Sequence, residues 1–446
     1  MVTERLGRPY DGEPLRLDDQ QFLLAQFPIK RRRAYLNNAS IGVIPELAVA
    51  SVTGFLRQVQ ESGRNHYPDW CAHADSAVKE RIARLIGARR SEIAFTKNTT
   101  EGINIVANGL RWQAGDNVIV PDIEYPSNVY PWLQLAARGV EVRWVTNRSG
   151  RIEAADIEKL IDRRTRLITL SAVQFSNGYR QNLPELCELC RRRAVLLHLD
   201  AIQWVGALSL DVHELGIDFL SVGGHKWLLA PIGTGFFYCS EAALDLIHPP
   251  SVGYHSVDKH EDHMDYDLTF RVDAGRFEEA LVNFPGIWGL DAAIDLQLRI
   301  GPHEIEEAIT SLCELAEERL LARGVHIATP RDTSRSGILC FTHPHLSTEE
   351  GVPRLRDAGV DVASRGGAIR ISPSFYNDSE EIERLIEALP RVNTRTRGTK
   401  NRHFADVQVA VDVRSGSIAG DPPRVLGAPA SRAVESGCKK QDGELQ

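Results

Sequence analysis

Long apolar runs are missing from this chain. No hydrophobic stretch approaches the roughly 20 residues a membrane-crossing helix needs, and the opening residues, with Arg5, Arg8, Asp11 and Glu13, lack the apolar core of a secretory signal. A cytoplasmic location and no membrane partner are therefore expected. Excess positive charge is missing too. With a formal net charge of −8 over 446 residues, the overall balance implies no basic face for nucleic acid, and small-molecule chemistry is the expectation. Cysteines are few and irregular. The seven present are odd in number and lack paired zinc-site spacings, so neither a disulfide framework nor a structural metal is expected. Cys187 and Cys190 do form a C-x-x-C, but inside a Glu- and Arg-rich stretch, 183–193, that reads as a helix. They are expected as ordinary helix positions rather than a redox pair.

What the chain does have is alternation. Between about residues 45 and 251, helical periodicities and short apolar runs follow one another, as in a mostly parallel sheet covered by helices. The spacing predicts helices over 45–63, 100–110 and 127–137, and strands over 93–96, 117–120, 140–145, 167–173, 195–200, 219–222 and 236–238. The continuous apolar character of 167–173 suits a strand buried on both faces. A His- and Asp-rich stretch, 252–271, breaks the pattern. Its Tyr254, His255, His260, His263 and Asp265 show no regular i, i+4 pair, so a solvated active-site or interface loop is expected rather than a metal site. Further on, 285–323 reads as one long helix. Segments 338–342, 349–358, 361–364, 368–372 and 379–389 then alternate strand, helix, strand, strand, helix. The fold class is α/β. Its expected parts are an N-terminal segment 1–34, a large domain 35–284, a bridging helix with a small α+β domain over 285–393, and a disordered tail 394–446 without sustained periodicity.

Two segments carry the most chemistry. His198-Leu199-Asp200-Ala201-Ile202-Gln203 ends an apolar strand with a carboxylate, and Gly223-Gly224-His225-Lys226 sets a lysine among glycines downstream. Such a pair is what a pyridoxal phosphate enzyme needs. The amine forms a Schiff base with the cofactor aldehyde, and the carboxylate keeps the pyridine nitrogen protonated. Asn98-Thr99-Thr100-Glu101-Gly102-Ile103-Asn104 lies where a strand gives way to a helix, and free N–H groups with Thr hydroxyls can hold a phosphate there. Taken alone, the same residues also read as a Thr-capped helix start.

Taken together, these segments resemble the class V aminotransferases of the fold-type I pyridoxal phosphate enzymes, a family that includes cysteine desulfurases, selenocysteine lyases and isopenicillin N epimerases. The resemblance covers about residues 35 to 392. It implies a mostly parallel large domain plus a smaller α+β C-terminal domain, pyridoxal 5'-phosphate as cofactor, and a homodimer. It implies Lys226 as the Schiff-base lysine, Asp200 as partner of the pyridine nitrogen, and Gln203 as a donor toward the ring hydroxyl. Thr99, Thr100 and His225 would serve the phosphate. Glu124-Tyr125-Pro126-Ser127-Asn128, leading to Pro131-Trp132, resembles the segment whose aromatic stacks on the ring, here Tyr125. Asn177, in Gln174-Phe175-Ser176-Asn177-Gly178, would lie beside the cofactor oxygen and the substrate carboxylate. It is also a turn-forming Asn-Gly. In Ser364-Arg365-Gly366-Gly367-Ala368-Ile369-Arg370, Arg370 corresponds to the arginine that grips the α-carboxylate of an amino acid, with Arg365 as a second candidate.

Departures from the family pattern bear on the reaction. Cysteine desulfurases need a thiol just before this arginine, yet 361–370 contains none, and Cys340 sits in the apolar run 338–342. Persulfide-forming desulfuration is disfavoured. Gly223 stands where a serine is frequent, and Ala280-Leu281 where Gly and a hydroxyl residue usually reach a partner's phosphate. Tyr125 replaces the histidine usual in desulfurases and is the poorer acid-base at neutral pH. The family prior puts transamination first. A β-eliminating C–S lyase without a persulfide cysteine and an isopenicillin N-type epimerase are the alternatives, and a non-enzymatic cofactor-binding protein the outlier. The N-terminal Asn37-Asn38-Ala39-Ser40 segment and loop 252–271 are expected to shape the substrate pocket.

Overall fold

The computed structural model describes residues 15–259, 261–262, 264–330 and 335–392. The expected tail 394–446, residues 1–14, His260 and His263 lie outside the described residues. In chain order the strands are β1 (Ala34–Tyr35), β2 (Ile93–Thr96), β3 (Asn117–Pro121), β4 (Glu141–Val145), β5 (Thr165–Ser171), β6 (Leu196–Asp200), β7 (Phe219–Gly223) and β8 (Gly235–Cys239). They are followed by β9 (His326–Ile327), β10 (Leu339–Thr342), β11 (Val360–Asp361), β12 (Ala363–Arg365) and β13 (Ala368–Ile371). β2 to β8 form one seven-stranded sheet in the order β2-β8-β7-β6-β5-β3-β4. Only β8 runs against its neighbours in that sheet.

Alternation along each strand divides the apolar residues between two layers. Ile119 faces one core and Val118 and Val120 the other; Phe236 and Tyr238 face the first, Phe237 and Cys239 the second. A sheet covered on both faces reads as continuous apolar sequence, which is why these strands were legible. A second sheet, β12-β13-β10-β9, is wholly antiparallel. It packs with Leu355, Ile382, Leu385 and Leu320 into a third core.

Two helix predictions need correction. The single helix expected over 285–323 is two, Phe284–Ile300 and Pro302–Ala322. Gly301 between them has φ +105, a left-handed stop that glycine tolerates, and Pro302 can begin a helix but not continue one. The helix expected over 127–137 is broken into two 3-10 turns around the one-turn helix Tyr130–Leu133, because Pro131 supplies no N–H in its interior. The helix Leu183–Arg193 is as expected, with Cys187 and Cys190 both buried. Burial pushes the Cys187 thiol up to about 11 and the Cys190 thiol up as well.

Residues before β1 are tied to the far end of the described chain. Lys30 is buried, and its Nζ lies 2.7 Å from Glu381 and 2.9 Å from Asp378. Phe27 stacks on Tyr376 with ring centroids 4.1 Å apart. Among its described residues, loop 252–271 carries the short 3-10 turn Tyr254–Ser256 and exposes Met264, Tyr266 and Leu268. No group of three or more His, Cys, Asp or Glu is placed to hold a metal ion, and no helix is long and apolar enough to cross a membrane, among the described residues.

Candidate active site

The C-terminal ends of β6 and β7 and the helix following β2 converge, as parallel α/β sheets arrange at their switch points. Asp200 closes β6, is 2% exposed, and its Oδ1 accepts the Ile202 N–H at 3.1 Å. Burial, and then the nearby Glu124 carboxylate, push Asp200 above the ordinary carboxylate range. Lys226 follows β7. Burial lowers its amine below the ordinary ammonium range, Asp200 opposes that, and Arg370 and Arg365 add to it. Its Nζ lies 5.8 Å from the Tyr125 ring centroid. That ring is 47% exposed and meets Phe175 edge-on at 5.1 Å.

The helix Thr99–Gly109 starts beside them. Asn98 caps it by accepting the Glu101 N–H at 3.0 Å. Gly102 lets the helix rest on β7, since a Cβ there would sit 2.4 Å from Ser221 Oγ. Thr100 donates to Ser127 Oγ at 2.9 Å. The Thr99 hydroxyl is buried and has no hydrogen-bond partner among the described residues. A Cβ at Gly223 would stand 3.1 Å from that hydroxyl and 3.3 Å from His225 Cε1. Thr99, Gly223 and His225 therefore line one recess, and burial lowers the His225 imidazole.

The turn carrying Lys226 is held from below by the segment before the helix Glu46–Ser62. Gly42 donates to the His225 carbonyl at 2.8 Å, and a Cβ on Gly42 would fall 1.9 Å from the Lys226 carbonyl oxygen. Leu229, three residues on, adopts φ +55, a strained choice for leucine of the kind that gathers at functional turns. Gly42→Ala is expected to cost about 1–3 kcal/mol of stability by overpacking, measured by urea denaturation, and to lower activity by displacing Lys226.

Arg370, on β13, is 1% exposed. Its guanidinium donates to the Phe175 carbonyl at 2.8 Å and to Ser40 Oγ at 2.7 Å, while Nε has no partner among the described residues. No carboxylate faces it in an ion pair among those residues, and burial lowers its pKa to about 10. A buried arginine without an anion is costly, and an anionic ligand at this place would offset that cost. Arg365, on β12, is exposed and donates to the carbonyl of Ser364.

Two sequence candidates have their amides engaged within the protein. Asn177 donates to the Gly150 carbonyl at 2.8 Å and accepts the Tyr179 N–H at 2.9 Å, the geometry of the Asn-Gly turn. Gln203 donates to the Ala39 carbonyl at 3.0 Å and accepts the Trp227 indole N–H at 2.8 Å. Its second amide hydrogen is left over.

Sequence reasoning missed a buried chain behind Asp200. Glu124 Oε1 accepts from Ser171 N (2.7 Å) and Gln174 Nε2 (2.6 Å), and Oε2 from Ser171 Oγ (2.5 Å) and Asn128 Nδ2 (3.1 Å). Ser171 is the register partner of Asp200, so the two carboxylates flank one pair of strands. The Trp132 indole, a donor only, fixes Asn128 Oδ1 as an acceptor, and Thr169 Oγ1 must donate to it as well. His198 Nδ1 then donates to Thr169, and Nε2 accepts from Ser221, each at 2.9 Å. Burial drives His198 down to about 3, so it stays neutral. The only signal in sequence was polar residues within apolar strands, His198, Thr169 and Ser171, which local pattern cannot pair.

Residues 34–385 match the model of the Aminotransferase class-V family. The chain belongs to that family. A probable cysteine desulfurase of Methanothermobacter thermautotrophicus is 33% identical over 388 residues, covering 82% of this chain and 96% of that protein. An uncharacterized aminotransferase of Schizosaccharomyces pombe is 28% identical, covering 73% of this chain and 84% of the relative. Among solved structures, a lysine-to-alanine mutant of C-DES with glycine covalently linked to its pyridoxal phosphate superposes with a TM-score of 0.76 at 27% identity, covering 82% of this chain and 98% of that one. C-DES as a cystine C–S lyase, in complex with its product cysteine persulfide, gives 0.75 at 27% identity, covering 81% and 98%.

As a class V enzyme of fold-type I, the chain is pyridoxal phosphate dependent. Its residues fit that group. An unpartnered buried hydroxyl at a helix N-terminus, an amine with lowered pKa and a buried carboxylate are the kinds of group that a phosphate, an aldehyde and a ring nitrogen call for. A separate cleft of about 1120 Å³ is lined by Tyr67, Asp75, His255, Glu278 and Leu281 among others, without Lys226 or Asp200.

Proposed function

We propose that this class V enzyme is a C–S β-lyase that cleaves sulfur from a β-thio-substituted amino acid without passing it to an enzyme thiol. One observation carries the reading: the strand face bearing Arg370 offers no usable cysteine. Cys340 stands opposite Arg370, is buried, gives its S–H to the Ser176 carbonyl at 3.3 Å and is pushed up to about 12 by burial. A thiol so held is neither ionised nor free to attack. The cystine C–S lyase among the structural neighbours supports the same choice over transamination, which the family prior puts first.

When bound, pyridoxal phosphate supplies the electron sink for a carbanion at Cα. Lys226 Nζ, whose pKa burial lowers to about 8, serves as the base for the Cα proton. Arg370 holds the α-carboxylate through two guanidinium nitrogens. Asp200, with one oxygen bonded to Ile202 N–H, would offer the other to a cationic ring nitrogen. Thr99, Thr100 and His225 would hold the phosphate, Tyr125 would stack on the ring, Gln203 would offer its remaining amide hydrogen to the ring oxygen, and Asn177 shapes the loop beside Arg370's Phe175 contact. The net reaction takes a cysteine S-conjugate and water to a thiol, pyruvate and ammonium. We assign a cytoplasmic homodimer to it, the exposed Met264, Tyr266 and Leu281 belonging to the subunit contact.

Holoenzyme incubated with L-cystine is expected to release pyruvate and ammonium in equal amounts, with no persulfide retained on the protein by mass spectrometry. A cysteine-bound persulfide would overturn the reading. A keto acid appearing with the aminated cofactor would assign transamination, and inverted chirality without cleavage an epimerase.

A further inference from the structure

Two stretches of chain connect Arg370 with Lys226, and both bring apolar side chains. On one side the Arg370 guanidinium donates to the Phe175 carbonyl at 2.8 Å, and the Phe175 ring meets Tyr125 edge-on, with centroids 5.1 Å apart and planes at 80°. Tyr125 in turn has its ring centroid 5.8 Å from Lys226 Nζ. On the other side Arg370 donates to Ser40 Oγ at 2.7 Å, and Gly42 donates to the carbonyl of His225 at 2.8 Å. Ile41 stands between those two contacts and is 47% exposed, as is Tyr125. Phe175 is half-buried.

The loop carrying Phe175 is tied down on every side of it. Gln174 N donates to the Tyr179 carbonyl and Gly178 N to the Gln174 carbonyl, each at 2.9 Å. The Asn177 side chain joins Gly150 to Tyr179, and Ser336 Oγ donates to the Gly178 carbonyl at 2.7 Å. Gly178 has φ +77, and a Cβ there would fall 2.4 Å from the Ile338 carbonyl oxygen. The ring is thus set in one place beside Arg370, with part of its surface open. Polar groups along the two stretches are already engaged. Ser40 Oγ donates to Asn37 and accepts from Arg370, the Ser176 carbonyl takes the Cys340 S–H, and the Asn177 amide bonds within its own turn. Beyond a carboxylate at Arg370, these stretches offer a ligand apolar and aromatic surface, the usual lining of a pocket that orients its ligand through few polar groups.

We propose that Phe175 selects the sulfur substituent, and that the substrate is a thioether amino acid whose far end is an aromatic ring, packed on Phe175 while Arg370 holds the α-carboxylate. This rests on the β-lyase reading and narrows it to S-arylmethyl conjugates of cysteine. One residue then serves both ends of the substrate, its carbonyl fixing the guanidinium and its ring meeting the substituent.

A matched pair isolates aromaticity: S-benzylcysteine and S-(cyclohexylmethyl)cysteine have nearly the same size. Wild-type holoenzyme is expected to prefer the benzyl conjugate by about fivefold in kcat/KM, the scale of one aromatic pair. Phe175→Leu keeps the backbone carbonyl and an apolar side chain, and brings the ratio to within about twofold of unity; Phe175→Tyr retains the wild-type preference. Comparing enzyme forms cancels the difference between the two leaving thiols. Calorimetry gives a readout free of turnover, in which wild type binds 5-phenylpentanoate more tightly than 5-cyclohexylpentanoate and Phe175→Leu loses that difference. If Phe175 serves only to hold Tyr125, Phe175→Leu slows both conjugates alike and leaves their ratio unchanged, which overturns the proposal, as do the two pentanoates bound alike by wild type. If neither conjugate yields pyruvate, the lyase reading fails, while the pentanoate pair still decides the role of Phe175.

Discussion

Lys226→Ala is expected to lower turnover by at least about 10³-fold, since it removes both the covalent anchor and the base, and to abolish the cofactor's visible absorption band while the protein stays folded. The last clause follows from how lysines are enclosed here. Lys30 and Lys79 are also buried, but each faces two carboxylates, Glu381 and Asp378 for the one, Glu278 and Asp75 for the other. Removing either of those would strand buried charge. Lys226 makes no hydrogen bond or ion pair of this kind among the described residues, and its amine is lowered chiefly by burial. Its alkyl stem can be lost without orphaning a partner.

The same shift sets the pH dependence of the cofactor-free protein. Lys226's folded pKa lies below its unfolded value of about 10.4. Between the two, the unfolded chain binds more protons, so stability rises with pH in that window and is lost as pH falls through it. Wild type is expected to show that alkaline rise in urea melts, and Lys226→Ala to lack it. An alanine variant that keeps both the rise and the visible band would remove Lys226 from the site.

The strands of the large sheet and the residues at their ends were legible because each signal was local. Apolar runs bounded by Asp200 or Gly223 say where a strand stops and what it exposes there. Gly301-Pro302 was equally local, and a stop signal overlooked inside apolar periodicity cost the helix boundary. Asn177 was harder, since the same Asn-Gly dipeptide serves a turn or a ligand and only its bonds to Gly150 and Tyr179 show what its amide does. Glu124 could not be read as a site residue at all. Its partners lie four to fifty positions away, and Asp200 comes beside it only through the pairing of Ser171 with β6.

Asp200→Asn tests that buried arrangement, and turnover is expected to fall by about 10²–10³-fold, the scale of losing one preorganised electrostatic group. An amide still accepts the Ile202 N–H but brings no charge to a ring nitrogen, so loss should fall on kcat, with the cofactor retained and its absorption shifted. Stability of the cofactor-free protein moves the other way from Lys226. Asp200's folded pKa lies above its unfolded value near 3.9, so the folded state binds the extra proton and wild-type stability falls as pH rises through that window. Asp200→Asn is expected to remove its share of this fall, Glu124, which burial also raises, keeping its own, and to be the more stable at neutral pH. Glu124→Gln separates the neighbour's part. Its amide nitrogen must face either Ser171 N and Gln174 Nε2 or Ser171 Oγ and Asn128 Nδ2, setting donor against donor at about 1–3 kcal/mol. It also removes a charge that raises Asp200, so the wild-type fall should begin to end at lower pH. If Glu124→Gln destabilises the fold but leaves that pH window where it was, Glu124 holds Ser171 in place and has no electrostatic hold on Asp200.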